Sequence, residues 1–197
     1  MTSAIASLPT LIVSAGASPD KLRACLLEAG CTIVAEAGPD AALAALIAHH
    51  RPGLIVLSTA SAAGQLASTV ALACGAERRP LAVFTSDASE SSIDAAITAG
   101  VAAYVIDGVE PARVRAVLGV ALARFSQQQK LLNELYGART KLAERKVIDR
   151  AKGILMARYK LGEDEAYQKM RSMAMNKKLK LADLAQRLLD VEELLDS

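Results

Sequence analysis

Short apolar runs alternate with amphipathic segments over about the first 125 residues of the chain. Each run is too short and too uniformly apolar for an amphipathic helix, and Gly, Pro, Ser or Asp bounds it, as is typical of buried strands. The runs predict strands at Leu11–Val13, Thr32–Val34, Leu54–Leu57, Leu81–Phe84 and Ala103–Ile106. The segments between them predict helices at Pro19–Ala29, Asp40–His49, about Ala62–Cys74 and Glu90–Ala99. This alternation predicts a flavodoxin-like, doubly wound α/β domain.

The pattern changes after Pro111, where one long helical segment begins. No Pro occurs between Ala112 and about Tyr159, and apolar residues recur at the three- and four-residue steps of a coiled coil. Gln127–Gln129 and Arg139 interrupt this stripe. We expect a helix that leaves the α/β domain and contacts a second copy or a partner; packing on its own domain is the alternative. The stripe consists of Leu118, Ala121, Phe125, Leu132, Leu135 and Leu142.

The last 50 or so residues have a helical pattern throughout. One helix ends near Tyr159, Glu163 is the first of three acids in the first turn of the next helix, and Asn176–Lys178 separate that helix from a final, leucine-rich one. We therefore predict three parts, which are an α/β domain at residues 1–110, a linking helix at 111–143 and a small all-helical domain at 144–197.

Charge is distributed unevenly along the chain. Residues 141–182 hold 12 Lys or Arg and 5 Asp or Glu, a net charge of +7, whereas residues 1–140 have a net charge of −1 and residues 183–197 one of −4. A local excess of this size favours a polyanion as partner. Aromatic residues make up only 3% of the chain and Trp is absent, which argues against an aromatic base-stacking sheet such as an OB-fold or RRM.

Nothing in the sequence predicts export, a membrane span or a metal site. The apolar stretch Ala41–Ala48 is far shorter than the roughly 20 residues that span a bilayer, and Met1–Pro9 lacks the features of a signal peptide. Cys25, Cys31 and Cys74 have no CxxC spacing, so we expect reduced thiols in a cytoplasmic protein. The adjacent His49 and His50 make a poor metal pair. We expect neither a metal nor a cofactor.

The C-terminal segment carries a recognisable series of motifs. Residues 144–156 read ERKVIDRAKGILM, followed by EAY at 165–167, MRSMAM at 170–175 and LADLA at 181–185. These stretches closely resemble, in order and spacing, the three helices of the ANTAR domain. The resemblance implies an RNA-binding module of the kind found in bacterial transcription antiterminators.

The N-terminal part is similar to a response-regulator receiver domain, and more closely to the degenerate receivers of the AmiR/NasT family. Residues 99–108, AGVAAYVIDG, resemble the NasT type around its fifth strand. Receiver, long helix and ANTAR domain together cover nearly the whole chain. This combination implies an AmiR/NasT-type regulator, of the nitrate-responsive NasT branch.

The receiver resemblance also implies where phosphate chemistry would take place. An active receiver has acids after strand one, an Asp at the end of strand three, a Thr or Ser after strand four and a Lys after strand five. Here the matching positions hold Ser14 and Ala15, Ser58, Thr85 and Asp107. Mg²⁺ lacks its carboxylate ligands, the phosphate acceptor is missing and Asp107 would repel phosphate. We therefore expect an inactive pocket, with Ser58 as a disfavoured substitute acceptor.

The ANTAR resemblance and the local charge together predict an RNA-binding surface. Gly153 in the first ANTAR helix is interpreted as a close-packing point rather than a ligand contact. Tyr159 and Tyr167 are interpreted as half-buried core rather than base-stacking rings, and Arg158 and Lys160 stay open between contact and ordinary surface. The predicted RNA-binding residues are Arg145, Lys146, Arg150 and Lys152 on the first helix, and Arg171, Asn176, Lys177, Lys178 and Lys180 on the second helix and its exit.

Three classes of function are compatible with this organisation. The favoured one is an antiterminator that binds stem-loops in leader transcripts, works as a homodimer, and is sequestered by a solute-binding-like nitrate or nitrite sensor. A phosphorylation-dependent response regulator with a non-standard output is the alternative. An enzyme is disfavoured because the chain lacks GxGxxG, P-loop and nucleophile-elbow motifs. We expect no DNA and no membrane among its partners.

Overall fold

A five-stranded parallel sheet forms the N-terminal part of the chain in the computed structural model. The strands are β1 (Leu8–Ala15), β2 (Cys31–Ala37), β3 (Leu54–Thr59), β4 (Leu81–Thr85) and β5 (Ala103–Ile106). Their order is β2-β1-β3-β4-β5, which is the order of the flavodoxin-like fold and confirms the predicted fold class. The structure describes residues 5–15, 20–38, 41–60, 69, 73, 78–107 and 109–195.

The central strands are apolar because helices cover both faces of a parallel sheet. All residues of β3 and β4 are buried. Side chains alternate between two cores, so that Ile12 packs with Leu26 on one side while Leu11 packs with Ile47 on the other. The strand β1 is longer than predicted because Thr10, although fully buried, donates its hydroxyl hydrogen to the carbonyl oxygen of Leu8 at 3.0 Å.

Three helices of the α/β domain are described, and they agree with the sequence pattern. They are α1 (Asp20–Ala29), α2 (Leu43–His50) and α3 (Glu90–Thr98). The helix α2 ends where Arg51 adopts a left-handed conformation, with φ of 45°. The helix predicted at about Ala62–Cys74 lies almost wholly outside the described residues, as do Pro19 and Asp40.

The long helix α4 (Pro111–Tyr159) runs for 49 residues without a break. The chain divides into two compact units, Met1–Gln129 and Lys130–Ser197, so α4 belongs to both. Leu118 does not belong to an exposed contact stripe, contrary to the sequence prediction, because it is fully buried in the core of the first unit. Further along α4, Leu135 and Leu142 are exposed by 47% and 57%.

The second unit contains a three-helix core. The end of α4 packs with α5 (Glu163–Asn176) and α6 (Leu181–Leu195). The helix α5 starts where the Gly162 N–H donates to the Glu165 carboxylate at 2.9 Å. No helix in the described part of the chain is long and apolar enough to cross a membrane. The buried residues of this core are Ala151, Leu155, Ala166, Met170, Ala185 and Leu189.

Candidate functional site

A cavity of about 270 Å³ opens at the carboxyl edge of the sheet. We call it the edge cavity. The structure brings three of the five predicted pocket residues into it, namely Ser58, Thr85 and Asp107. Ser14 and Ala15 lie at the end of the neighbouring strand, where they pair in register with Ser58 and Thr59. The full lining is Lys21, Leu22, Ser58, Thr59, Ala60, Phe84, Thr85, Ser86, Val105, Asp107 and Val109.

Local hydrogen bonds occupy several polar groups of the edge cavity. The Thr85 hydroxyl donates to the Ala60 carbonyl oxygen at 3.4 Å and accepts from the Asp87 N–H at 3.1 Å. The backbone N–H of Asp107, which has a φ of 42°, donates to the carbonyl oxygen of Thr85 at 3.1 Å. These bonds fix the turns after β4 and β5 rather than presenting a ligand set.

One cation of the edge cavity was not predicted from the sequence. The receiver pattern requires Lys after the fifth strand, where this chain has Asp107, but Lys21 of α1 lines the same cavity. The sequence did not indicate this role for Lys21, the second residue of α1. Its position beside the cavity depends on how α1 packs against the edge of the sheet. Lys21 therefore places a positive charge in the edge cavity from a different element.

Exposed cations and one amide form a second candidate site, on the helical unit. We call these residues the basic surface. Lys177 caps the end of α5, and Lys178 follows it in a left-handed conformation with φ of 54°. All members of the surface are exposed, and Arg145 Nε also lies 3.9 Å from Asp149 Oδ2. They are Arg145, Lys146, Arg150, Arg171, Asn176, Lys177, Lys178 and Lys180.

Lys152 is different from the other predicted RNA-binding residues. Its side chain is only 15% exposed, and its Nζ lies 2.6 Å from Glu163 Oε1 and 3.1 Å from Asp149 Oδ1. Hydrogen bonds to Glu163 and then Asp149 raise the pKa of Lys152 above its usual value. The predicted contact role does not fit this arrangement, because the ammonium group links α4 to the start of α5. We leave Lys152 out of the basic surface.

A groove of about 590 Å³ lies between α4 and α6 of the helical unit. We call it the helical groove. Arg150 is the one predicted RNA-binding residue in its lining, and Arg158 reaches across it to Glu192, with Nη1 and Oε2 3.3 Å apart. The spacing of Arg150, Ala157 and Arg158 places them on one side of α4, a signal that sequence reasoning did not use. The lining is Arg150, Gly153, Ile154, Ala157, Arg158, Leu189 and Glu192.

The structure contradicts two interpretations made from the sequence, those of Gly153 as a close-packing point and of Tyr159 as a half-buried core residue. A Cβ atom built at Gly153 would meet no heavy atom within 4 Å, so Gly153 is not a close-packing point. Tyr159 is 53% exposed, and the Nζ of Lys169 lies 3.8 Å from its ring centroid. Tyr167 is also exposed, by 38%. Both rings belong to the surface rather than to the core.

Comparison with known proteins defines the class of the helical unit. Residues 137–189 match the model of the ANTAR domain, so the chain contains an ANTAR domain. The matched region includes the end of α4, all of α5 and the first part of α6, and every residue of the groove lining except Glu192. The match covers a part of the chain, and it says nothing of the α/β domain.

Two regulators are related to this chain over different lengths. The Transcriptional regulatory protein PdtaR of Mycobacterium tuberculosis is 25% identical over 172 residues, which cover 84% of this chain and 80% of that protein. The Nitrate regulatory protein of Klebsiella oxytoca is 38% identical over 66 residues, which cover 34% of this chain and 17% of that protein. The solved REC domain of AraT, a response regulator from Geobacillus stearothermophilus, matches 60% of this chain and 97% of its own, with 19% identity and a TM-score of 0.46.

Proposed function

We propose that this chain is an RNA-binding regulator of transcription antitermination. Its ANTAR domain binds stem-loops in a leader transcript, and the stabilised RNA allows polymerase to read into the genes downstream. The observation that carries the proposal is the basic surface, which presents exposed cations on a helical domain matched by the ANTAR model. Exposed Lys and Arg side chains supply the phosphate contacts, and amides such as that of Asn176 supply base contacts.

Crosslinking in the native cell tests this function and identifies the target transcript in the same experiment. The full chain is crosslinked to RNA by ultraviolet light, isolated, and the bound RNA is sequenced. We expect enrichment of transcript leaders that contain paired stem-loops, and loss of that enrichment in the Lys146→Ala/Arg150→Ala variant. Recovery of unselected RNA, or equal recovery by the variant, would contradict the proposal.

The proposed control does not involve phosphorylation. The edge cavity has Ser58 at the acceptor position, and the neighbouring strand ends in Ser14 and Ala15 at the positions of the Mg²⁺-binding acids. Incubation with acetyl phosphate and Mg²⁺, followed by intact-mass spectrometry, is expected to show no added phosphate. A stoichiometric phosphate adduct would favour the alternative, a phosphorylation-dependent response regulator. The Ser58→Ala variant would then identify the acceptor.

We further propose that a solute-binding-like sensor for nitrate or nitrite sequesters the chain, as in the NasT branch. The relative that is named as a nitrate regulatory protein supports this assignment over its 66 matched residues. Affinity isolation of the full chain from the native cytoplasm, with and without nitrate, tests it. The sensor is expected to copurify without nitrate and to dissociate when nitrate is added. An identical set of copurified proteins in both conditions would contradict sequestration.

Dimerisation through α4 completes the proposed arrangement of three parts, at residues 1–110, 111–143 and 144–197. Leu135 and Leu142 are exposed, and Leu132 and Phe125 are half-buried. The Leu132→Glu/Leu135→Glu variant is expected to lower the mass measured by light scattering or to abolish partner binding while the α/β domain stays folded. If neither association changes, this stretch of α4 is not a contact surface.

A further inference from the structure

Gly153 leaves an open space that no described part of the chain fills. Gly is unfavourable inside a helix, yet a Cβ at this position would meet no heavy atom within 4 Å. Gly53 shows the opposite case, since a Cβ there would lie 2.8 Å from Leu8 Cδ1. Gly153 is exposed and lines the helical groove, so the groove is open to solvent along this stretch of α4. We propose that the helical groove holds one unpaired nucleobase of an RNA loop.

The lining of the helical groove suits a nucleobase. Ile154, Ala157 and Leu189 supply apolar walls for a flat ring, and Arg150 and Arg158 supply guanidinium planes and hydrogen-bond donors for its edges. The volume of about 590 Å³ lies within the usual range of small-ligand sites. The site would read a base, whereas the rest of the basic surface would contact phosphates. This inference rests on the proposed RNA-binding function.

The charges in the groove also indicate which end would hold the phosphate of the nucleotide and which end would hold its base. Glu192 pairs with Arg158 and would repel a phosphate at that end. Among the residues that the structure describes, no carboxylate forms an ion pair with Arg150. The phosphate is therefore placed at Arg150, and the base extends over Gly153 toward Arg158. Small lining residues keep this path open.

Filling the groove without disturbing the protein tests the inference. Gly153→Leu is the test variant, and Gly137→Leu is its matched control, because Gly137 lies on the same helix, is equally unobstructed and does not line the groove. Both substitutions replace Gly by a strong helix former, so both variants are expected to melt at or above the temperature of the unchanged chain. Ala157→Leu fills the groove from a neighbouring position, should Gly153→Leu misfold.

The RNA probe is a hairpin selected by the full chain from a pool with randomised loops. Each loop base is then replaced in turn by an abasic site, which keeps the phosphate. We expect one abasic position to lower affinity about tenfold, as for loss of a stacked base. Gly153→Leu is expected to lower affinity for the intact hairpin by a similar factor, with no further loss on that abasic hairpin. Gly137→Leu should leave both affinities unchanged.

Two results would overturn the inference, and they differ from a failure of the proposed function. Unchanged affinity for the intact hairpin in both Gly153→Leu and Ala157→Leu would show that the groove does not hold a base. An equal loss for intact and abasic hairpins would assign the groove to the backbone instead. If the unchanged chain selects no hairpin at all, the proposed function fails, and this inference fails with it.

Discussion

The edge cavity of the α/β domain and the helical groove of the ANTAR domain are both lined by several elements, but their polar groups are used differently. In the edge cavity, the Thr85 hydroxyl and the Asp107 N–H are engaged in hydrogen bonds within the fold. In the helical groove, Arg150 has no ion-pair partner among the described residues, and Gly153 leaves its position open. The polar groups named in the first cavity act within the fold, and the second cavity has charge and space for a partner.

Lys152 and Arg150 show the same difference within one helix. They are two residues apart, so they point in different directions from α4. Lys152 is held by Asp149 and Glu163, whereas Arg150 faces the helical groove. Neighbouring basic residues of one helix therefore differ in whether the fold already engages their charge.

The largest expected effect concerns whether the two regions fold separately. Met170 is fully buried in the core of the helical unit. Met170→Ala should lower the free energy of unfolding of that unit by about 2–5 kcal/mol, since it leaves a cavity. Calorimetry is expected to show one transition moving down while that of the α/β domain stays in place. A common shift of all transitions would mean that the regions are not independent.

A matched pair of substitutions separates the two kinds of cation. Arg150→Gln should weaken RNA binding, flatten the slope of log K against log salt by about one unit or less, and leave the melting temperature unchanged. Lys152→Gln should lower the melting temperature and leave the salt dependence of RNA binding unchanged. Fluorescence anisotropy and thermal melting of both variants provide the comparison. Weaker RNA binding in Lys152→Gln together with a lower melting temperature in Arg150→Gln would contradict the roles assigned to the two residues.

We expect a substitution in the edge cavity to leave the affinity for RNA unchanged. Thr85→Ala removes a hydroxyl that makes two local hydrogen bonds, and it should cost about 1 kcal/mol of unfolding free energy. Affinity for the selected hairpin is expected to stay within the error of anisotropy measurements. A clear loss of RNA affinity, with the variant fully folded, would show that the cavity communicates with the ANTAR domain.

The smallest expected effect is a pH dependence that arises from Lys152. Its pKa is raised above 10.5 by Glu163 and Asp149, so the charged form is favoured by folding. The resulting stability is complete below pH 10.5 and is lost as the pH rises through the raised pKa. The partner carboxylates of Lys152 are 53% and 68% exposed, and ion pairs that reach solvent contribute little. The decrease in melting temperature caused by Lys152→Gln should therefore be modest near neutral pH. The difference in melting temperature between the two proteins should disappear at strongly alkaline pH.

Sequence patterns predicted the α/β domain well, because buried parallel strands require apolar residues on both faces. The predicted β5, Ala103–Ile106, has the observed bounds. The strand β1 was predicted too short, since Thr10 and Ser14 look polar in sequence but are accommodated in the strand. The end of α4 near Tyr159 and the start of α5 at Glu163 were also predicted, because turn and capping residues act locally.

The sites were harder to predict because they depend on contacts between elements. Leu118 fits a coiled-coil spacing, but the sheet buries it. Lys152 belongs to a basic run, but its partner Glu163 comes from the next helix. Lys21 reaches the edge cavity only through the way α1 packs. Periodicity identifies the face of one helix and does not identify the element that covers it.

Binding of the full chain to RNA and to DNA tests the central claim most directly. The probes are a two-hairpin RNA built from the selected hairpin and duplex DNA of equal length, titrated over a range of salt concentrations. The RNA should bind more tightly, and Lys146→Ala/Arg150→Ala should weaken it and flatten the slope of log K against log salt by about one unit or less per lost phosphate contact. Equal affinity for RNA and DNA, or an unchanged slope in the folded double variant, would contradict RNA binding by the basic surface.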